Sequence, residues 1–491
     1  MAMGEQQQQH HVVAVPVPAQ GHLNPLMRFC KLLAKQDGVI VTFVDFDQTQ
    51  KLQNAAAEDN TNSQHQPPAA PPHPLVRRAR ISVPGLDFSN GFSFSFHDFF
   101  QVLLSAAPDL EQLILSLNAQ GPPVTCLLSD FNITLPTQDV ADKLGIPRIV
   151  LYPCCASRLL FTHYLSQGEL VSLEEVKEAS VTSEQGRKSF RELPGLPTLY
   201  NTDIPHFKHV MDETVSLWTN SIKSWQVCDT RAHAVVVNSF EELEASTFAT
   251  LSRYCKVPIH DVGFWVEPLL KESATSLWKE DKGCMSWLDQ QPALSVLYIS
   301  FGSITLLSKC QYEEFLNGLL SSQQRFLWVL RPGLVENLDY TSSVACIVSK
   351  SHGRGLVINW APQPQVLSHP SVGGFLTHCG WNSTSESIAS GVPMLCWPYF
   401  ADQPLNARCV VDEWKVGLSM ECSKGDGCLI KRDEIEKVIR ALMEGLEGKH
   451  VRENMKKLKE RSDQCFLENG SSYKKLKALL EGLDQSHAEL D

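Results

Sequence analysis

Alternation of short apolar runs with helical patterns is the feature that most limits what this chain can fold into. Val12 to Val17 is a short apolar run and reads as a buried strand. A Gly- and Pro-rich stretch follows, Pro18-Ala-Gln-Gly-His-Leu-Asn-Pro25, and reads as a loop. Leu23, Leu26, Met27, Cys30, Leu33 and Ala34 then recur at helical spacing, and Val39 to Phe46 reads as the next strand. Strand, helix, strand in so short a span is a βαβ unit, which implies a parallel sheet. The pattern continues with strands at 81–83, 124–129, 148–152 and 235–237 and a helix near 135–144. It starts afresh with strands at 296–301, 326–330, 356–359, 374–377 and 393–397, and a helical face of Tyr312, Phe315, Leu316, Leu319 and Leu320. The economical reading is two doubly wound α/β halves of about 250 and 200 residues, with ligands at the carboxyl ends of the strands.

Length agrees, since 491 residues suffice for two or three domains. The expected organisation is an N-terminal domain over 1–266, a charged, Ser-rich link over 267–283, and a C-terminal domain over 284–465. A helix in 466–491 is expected to pack back on the first domain. Residues 53–74 are polar, Ala-rich and Pro-rich, which predicts a flexible surface insertion. The formal charge of −12 argues against non-specific nucleic-acid binding, which needs Lys and Arg on phosphates. No apolar run is long enough to span a membrane, and the polar start, Met1 to His11, has no signal-peptide core; His10 and His11 read as a frayed tail. The 15 cysteines are scattered with no Cys-x-x-Cys pair, which predicts reduced, buried thiols in a cytoplasmic protein.

Two constellations carry chemistry. His22 follows the first strand and Asp130 follows a later one, so the crevice rule lets them face one ligand. A His oriented by a carboxylate is a standard general base, although singly a loop His and a helix-capping Asp are the commoner structural roles. The second is Thr377-His-Cys-Gly-Trp-Asn-Ser-Thr-Ser-Glu386, a strand end and Gly turn leading into a helix that stops at Gly391. A helix N-terminus reached by such a turn suits a phosphate, with His378, Asn382 and Ser383 as added donors; the alternative is ordinary capping by Asn and Ser. Phe301-Gly302-Ser303 is a further possible phosphate contact. Gly-x-Gly-x-x-Gly, the P-loop and Gly-x-Ser-x-Gly are all missing, which weakens a dehydrogenase, an NTPase and an α/β-hydrolase. Asp45-Phe46-Asp47 is the one Asp-x-Asp pair and the basis of a rival, metal-dependent reading.

These residues also carry a resemblance. Trp360 to Gln403 is similar to the 44-residue signature box of plant family 1 UDP-dependent glycosyltransferases. It opens Trp-Ala-Pro-Gln, has His-Cys-Gly-Trp-Asn-Ser in the middle, and closes Ala-Asp-Gln. The likeness runs from the Pro-Ala-Gln-Gly-His loop to Asn469-Gly-Ser-Ser, leaving out the tail and the Pro-rich insertion. It implies an α/β GT-B fold, two Rossmann-like parallel-sheet domains facing across a cleft. It implies His22 as the base for an acceptor hydroxyl, with Asp130 as its partner. Trp360 would stack on uracil, Ala361 and Gln363 would hold the uracil edge, and Glu386 would bind the ribose hydroxyls. Ser303, His378, Asn382 and Ser383 would hold the diphosphate, and Trp381, Asp402 and Gln403 the sugar.

The expected activity is therefore inverting, metal-independent transfer from a UDP-sugar, with glucose favoured by Gln403 at the box's end. The acceptor is expected to be a small lipophilic alcohol, phenol or acid; the UDP-sugar is a co-substrate and no cofactor is implied. A non-catalytic UDP-sugar-binding protein is the other-class alternative, and loss of His22 or Asp130 would have favoured it. One position departs from the family. Many relatives place a sugar-contacting Thr after the strand that here ends Leu151-Tyr152, whereas this chain has Pro153 followed by Cys154 and Cys155. Phe88, Phe92, Phe94, Phe96, Phe99 and Phe100 form an aromatic cluster that is a candidate acceptor wall, with core of the following helix as the alternative for any one ring.

Overall fold

A computed structural model gives the architecture and describes residues 9–47, 76–85, 95–168, 171–182, 188–204, 211–264, 277–420 and 429–488. The insertion at 53–74, the link from 267 to 276, and Phe88, Phe92 and Phe94 lie outside the described residues.

The first sheet contains β1 (His10–Val15), β2 (Val39–Phe46), β3 (Val76–Ile81), β4 (Cys126–Asp130), β5 (Arg148–Tyr152), β6 (Ala234–Val237) and β7 (Ile259–Asp261). Its order is β3-β2-β1-β4-β5-β6-β7, and each recorded pairing is parallel. The second sheet contains β8 (Val296–Ser300), β9 (Arg325–Val329), β10 (Gly355–Ile358), β11 (Val372–Thr377), β12 (Met394–Cys396) and β13 (Gly417–Ser419), in the order β10-β9-β8-β11-β12-β13. Strands β1, β4, β5, β8 and β11 are buried at every residue, as parallel strands covered on both faces must be.

The helices include α1 (Gln20–Leu33), α2 (Thr134–Leu144), α3 (Lys309–Ser322), α4 (Trp381–Ser390), α5 (Gln403–Arg408) and α6 (Ser471–Ala488). Both sheets reverse their winding once, between β1 and β4 in the first and between β8 and β11 in the second. Ligands of doubly wound sheets sit at such switch points. His22 and Asp130 stand at the first; Ser303 and residues 378–383 stand at the second.

Three expectations are corrected. The stretch from Pro18 to Pro25 is not all loop, because α1 starts at Gln20 and contains Pro25. Proline lacks the N–H that would bond the carbonyl four residues back. That carbonyl belongs to Gly21, and it accepts the Asn382 Nδ2 at 2.9 Å instead. His10 and His11 are not a frayed tail but the buried start of β1, with His10 opposite Val39. The His11 ring bonds Thr42 Oγ1 and the Pro122 carbonyl, each at 2.9 Å. The strand expected at 81–83 lies at Val76–Ile81; it is an edge strand, where Arg77, Arg78 and Arg80 are tolerated.

Helix α6 lies on the first domain. Leu476, Leu479 and Leu483 join the apolar cluster of Val12, Ala14 and Leu26, and Lys475 pairs with Asp261 and Glu241. Thiols such as Cys30, Cys126, Cys228 and Cys379 are free and buried.

Candidate active site

The two switch points face one cleft, lined from the first domain by Gln20, His22, Arg28 and Cys154 and from the second by Ser303, Trp360, His378 and Glu386. Connections between the domains beside it include the Asn382–Gly21 bond, and Trp381 Nε1 donating to the Asn238 carbonyl at 2.7 Å.

His22 lies in the first turn of α1, which follows β1 at once. Asp130 ends β4 and is fully buried. Its Oδ1 accepts the Asn132 N–H at 2.8 Å, which fixes the carboxylate, and its Oδ2 lies 2.7 Å from His22 Nδ1. A carboxylate only accepts, so the ring proton sits on Nδ1 and Nε2 is the basic nitrogen. Burial alone would lower the His22 pKa. The Asp130 charge and hydrogen bond, with the charge of Asp402, outweigh burial and raise it above 6.5. Asp402 is itself pushed up by burial, against the hydrogen bond that Asn406 Nδ2 donates to its Oδ2 at 2.7 Å.

Opposite stands the N-terminus of α4. Its cap is Gly380, which supplies no side chain to its leading N–H groups. Gly380, Trp381, Asn382 and Ser383 all line the cleft. An uncapped helix start facing a cavity is a ready anion site. His378 stands beside it, its pKa lowered to about 4 by burial, so the imidazole is neutral. Two glycines make room for that ring. A Cβ on Gly302, at φ +74°, would stand 2.6 Å from His378 Nε2, and a Cβ on Gly380 would stand 2.5 Å from it.

One turn along α4 is Glu386, buried to 3% exposure. Its Oε2 accepts Gln363 Nε2 at 2.8 Å, and its Oε1 accepts Arg28 Nη2 from the first domain at 2.5 Å. Gln363 also donates to Ser383 Oγ at 3.0 Å and accepts Tyr298 Oη at 3.2 Å. With its amide so engaged, Gln363 supports Glu386, and a base edge meeting Ala361 and Gln363 is left their backbone groups. Trp360 lines the cleft with Trp278 stacked on it, ring centroids 5.8 Å apart and planes 29° apart.

Two expected sugar contacts are engaged elsewhere. Trp381 is a core ring at the domain interface, edge-on to Phe264 at 5.9 Å, so its backbone N–H is what it offers a ligand. Gln403 is not among the cleft-lining residues, and its Oε1 accepts the Tyr399 and Phe400 N–H groups at 2.9 and 3.0 Å. Pro153 and Cys154, where the sequence departs from the expected Thr, do line the cleft. Burial, then the Asp402 charge, raises the Cys154 thiol well above its ordinary pKa. Asp45 gives both carboxylate oxygens to Arg78, at 2.6 and 2.7 Å, which removes the better ligand of the Asp45/Asp47 metal reading. Phe99 and Phe100 are half-buried against the core of the first sheet.

Sequence reasoning passed over Arg28, Tyr298, Asn406 and Trp278. Arg28 carried no local signal: at helical spacing it shares its side of α1 with Asn24 and Lys31, away from the apolar stripe of Leu23, Leu26, Met27 and Cys30.

Comparison with known proteins completes this picture. Residues 275–460 match the family described as UDP-glucoronosyl and UDP-glucosyl transferase, and residues 8–62 match a glycosyltransferase N-terminal domain. UDP-glycosyltransferase 85A1 of Arabidopsis thaliana is 35% identical over 468 residues, covering 91% of this chain and 90% of its own. A 7-deoxyloganetin glucosyltransferase of Gardenia jasminoides is 34% identical, covering 90% of both chains. The structure of Phytolacca americana UGT2 with UDP-2-fluoro-glucose and pterostilbene superposes with a TM-score of 0.77 at 30% identity, covering 97% of this chain and 99% of that one. Os79 of O. sativa with UDP gives a TM-score of 0.80 at 27% identity, with 97% and 99% covered. Two parallel-sheet domains of GT-B type, the box and these relatives agree: the chain belongs to the plant family 1 UDP-glycosyltransferases.

Proposed function

We propose that this UDP-glycosyltransferase moves glucose from UDP-glucose to a hydroxyl or carboxyl of a small lipophilic acceptor, with inversion and without a metal or cofactor. The observation that carries the reading is the 2.7 Å His22–Asp130 pair, in one cleft with the uncapped start of α4. The acceptor O–H gives its proton to His22 Nε2. Its oxygen forms a bond to the anomeric carbon on the face opposite UDP. The bond from that carbon to the β-phosphate oxygen breaks, and its electron pair leaves with UDP. Asp130 stabilises the imidazolium that forms. The α4 N–H groups, Asn382, Ser383, Ser303 and the neutral His378 meet the charge growing on the diphosphate. These donors suffice in kind for a diphosphate, which supports the metal-free reading.

Glucose is supported by the glucosyltransferase among the relatives and by the box ending in Asp402 and Gln403. A lipophilic acceptor is supported by the pterostilbene bound by the Phytolacca protein and by the Phe-rich segment 88–100 of this chain. Free, buried cysteines support a cytoplasmic location. The test is a screen of phenolic, flavonoid and terpenoid acceptors with UDP-glucose, read by mass spectrometry. A hexose mass increment on one acceptor class is the expected result. Transfer only from another UDP-sugar, or none with any acceptor, contradicts the reading.

A further inference from the structure

Glu386 receives two protein donors, and they come from different domains. Gln363 Nε2 takes Oε2 at 2.8 Å, and Arg28 Nη2 crosses the cleft to take Oε1 at 2.5 Å. Both members of the ion pair are largely shielded, with side-chain exposures of 15% for Arg28 and 4% for Glu386. A carboxylate has about four acceptor positions, two on each oxygen. Gln363 and Arg28 use one on each. That leaves one acceptor position on each oxygen, and Glu386 lines the cleft, so the carboxylate has the capacity to accept two hydroxyls of a vicinal diol.

The charge balance of the cleft points the same way. Its described lining includes the acids Glu280, Glu386 and Asp402, and Arg28 is the one Arg or Lys among those residues. A nucleoside diphosphate enters this space as an anion. Glu386 without a counter-charge would repel it, and a buried carboxylate left unpaired is costly. Arg28 is placed on the first domain by α1, the helix that also carries His22. The same helix therefore positions the acceptor base and a counter-ion at the donor site.

We propose that Arg28 is a donor-site positioning residue supplied by the first domain. Through the cross-cleft bond to Glu386 it orients that carboxylate and balances its charge, so that Glu386 accepts the ribose hydroxyls while a diphosphate lies nearby. This rests on the reading of the cleft as a UDP-sugar site.

The test is calorimetric titration of UDP into the full-length protein, its Arg28→Met and Arg28→Lys variants, and both on a Glu386→Gln background, with thermal melts alongside. Losing a charged hydrogen-bond partner predicts a UDP Kd raised about tenfold or more in Arg28→Met, with Arg28→Lys in between. In steady state, Arg28→Met should raise KM for UDP-glucose more than it lowers kcat. On the Glu386→Gln background, Arg28→Met should change Kd less than about twofold, because the pair is already gone. UDP binding that is unchanged or tighter in Arg28→Met overturns the proposal, since Arg28 would then be a bystander or a latch competing with ribose. An equal loss on both backgrounds also overturns it, because Arg28 would act independently of Glu386. Should Arg28→Met not fold, an unchanged Kd in Arg28→Lys overturns it in the same way. Folded wild-type protein that binds no UDP overturns the donor reading of the cleft itself.

Discussion

His22 Nδ1 stands 2.7 Å from Asp130 Oδ2 across 108 positions of sequence. The two meet because β1 and β4 are neighbours at the switch point of the first sheet, with Val15 opposite Ser129. The pairing raises the His22 pKa above 6.5 against the opposing effect of burial. A general base works only when unprotonated, so activity should rise with pH through that pKa. The acid limb of kcat/KM is expected to have its midpoint above pH 6.5. Asp130→Asn removes the largest raising interaction and leaves burial against the smaller effect of Asp402, so the midpoint should move to lower pH while the plateau falls about 10²- to 10⁴-fold. An acid limb that does not move in Asp130→Asn would detach it from His22.

Gly380→Ala tests the seating of His378. Gly380 has φ −60°, so alanine fits the backbone, but its Cβ would stand 2.5 Å from His378 Nε2. Displacing the ring should weaken UDP binding about 10- to 100-fold, as expected for losing a hydrogen bond to a charged group. Calorimetry with UDP checks this, and wild-type affinity would place His378 outside the diphosphate site.

The turn that Gln403 holds can be separated by substitution from the sugar contact proposed for it. Its Oε1 ties the turn at Tyr399 and Phe400, next to Ala401 at φ +54°. Gln403→Glu keeps an oxygen for those N–H groups and loses the amide donors. The thermal midpoint should stay near wild type, while UDP-glucose turnover falls about tenfold and UDP affinity holds. Full turnover in Gln403→Glu would confine the residue to the turn.

Removing divalent metal should leave activity in place. The donors proposed for the diphosphate are N–H groups, hydroxyls and a neutral imidazole, and Asp45 is held by Arg78. Turnover measured with and without EDTA decides it. Loss of activity restored by manganese would return the Asp45/Asp47 reading.

What the sequence conveyed divides along physical lines. Buried parallel strands are continuous apolar runs, so β2 and β5 were legible to the residue, and the fold followed from their alternation with helices. β7 and β13 read Ile-His-Asp and Gly-Leu-Ser, with no apolar run to mark them, whereas the equally short β12 reads Met-Leu-Cys and was legible. His22 and Asp130 were legible because strand ends converge at a switch point, a property of topology. The start of α1 was not, because Gly21 and Pro25 look like loop until Asn382 of the other domain takes the carbonyl that Pro25 leaves unbonded. The box identified Trp381, Gln363 and Gln403 by type. It did not reveal that their polar groups serve Asn238, Glu386 and the Phe400 turn, which depends on three-dimensional approach. Arg28 and Glu386, 358 positions apart, are invisible to any local pattern for the same reason.

The assignment of His22 as the acceptor base is tested most directly by measuring turnover and UDP affinity side by side in wild type and His22→Ala, using an acceptor hydroxyl found in the screen. General-base loss predicts turnover lower by about 10²- to 10⁴-fold, with the UDP Kd within about twofold of wild type. Near-normal turnover in His22→Ala on a hydroxyl acceptor would contradict the account.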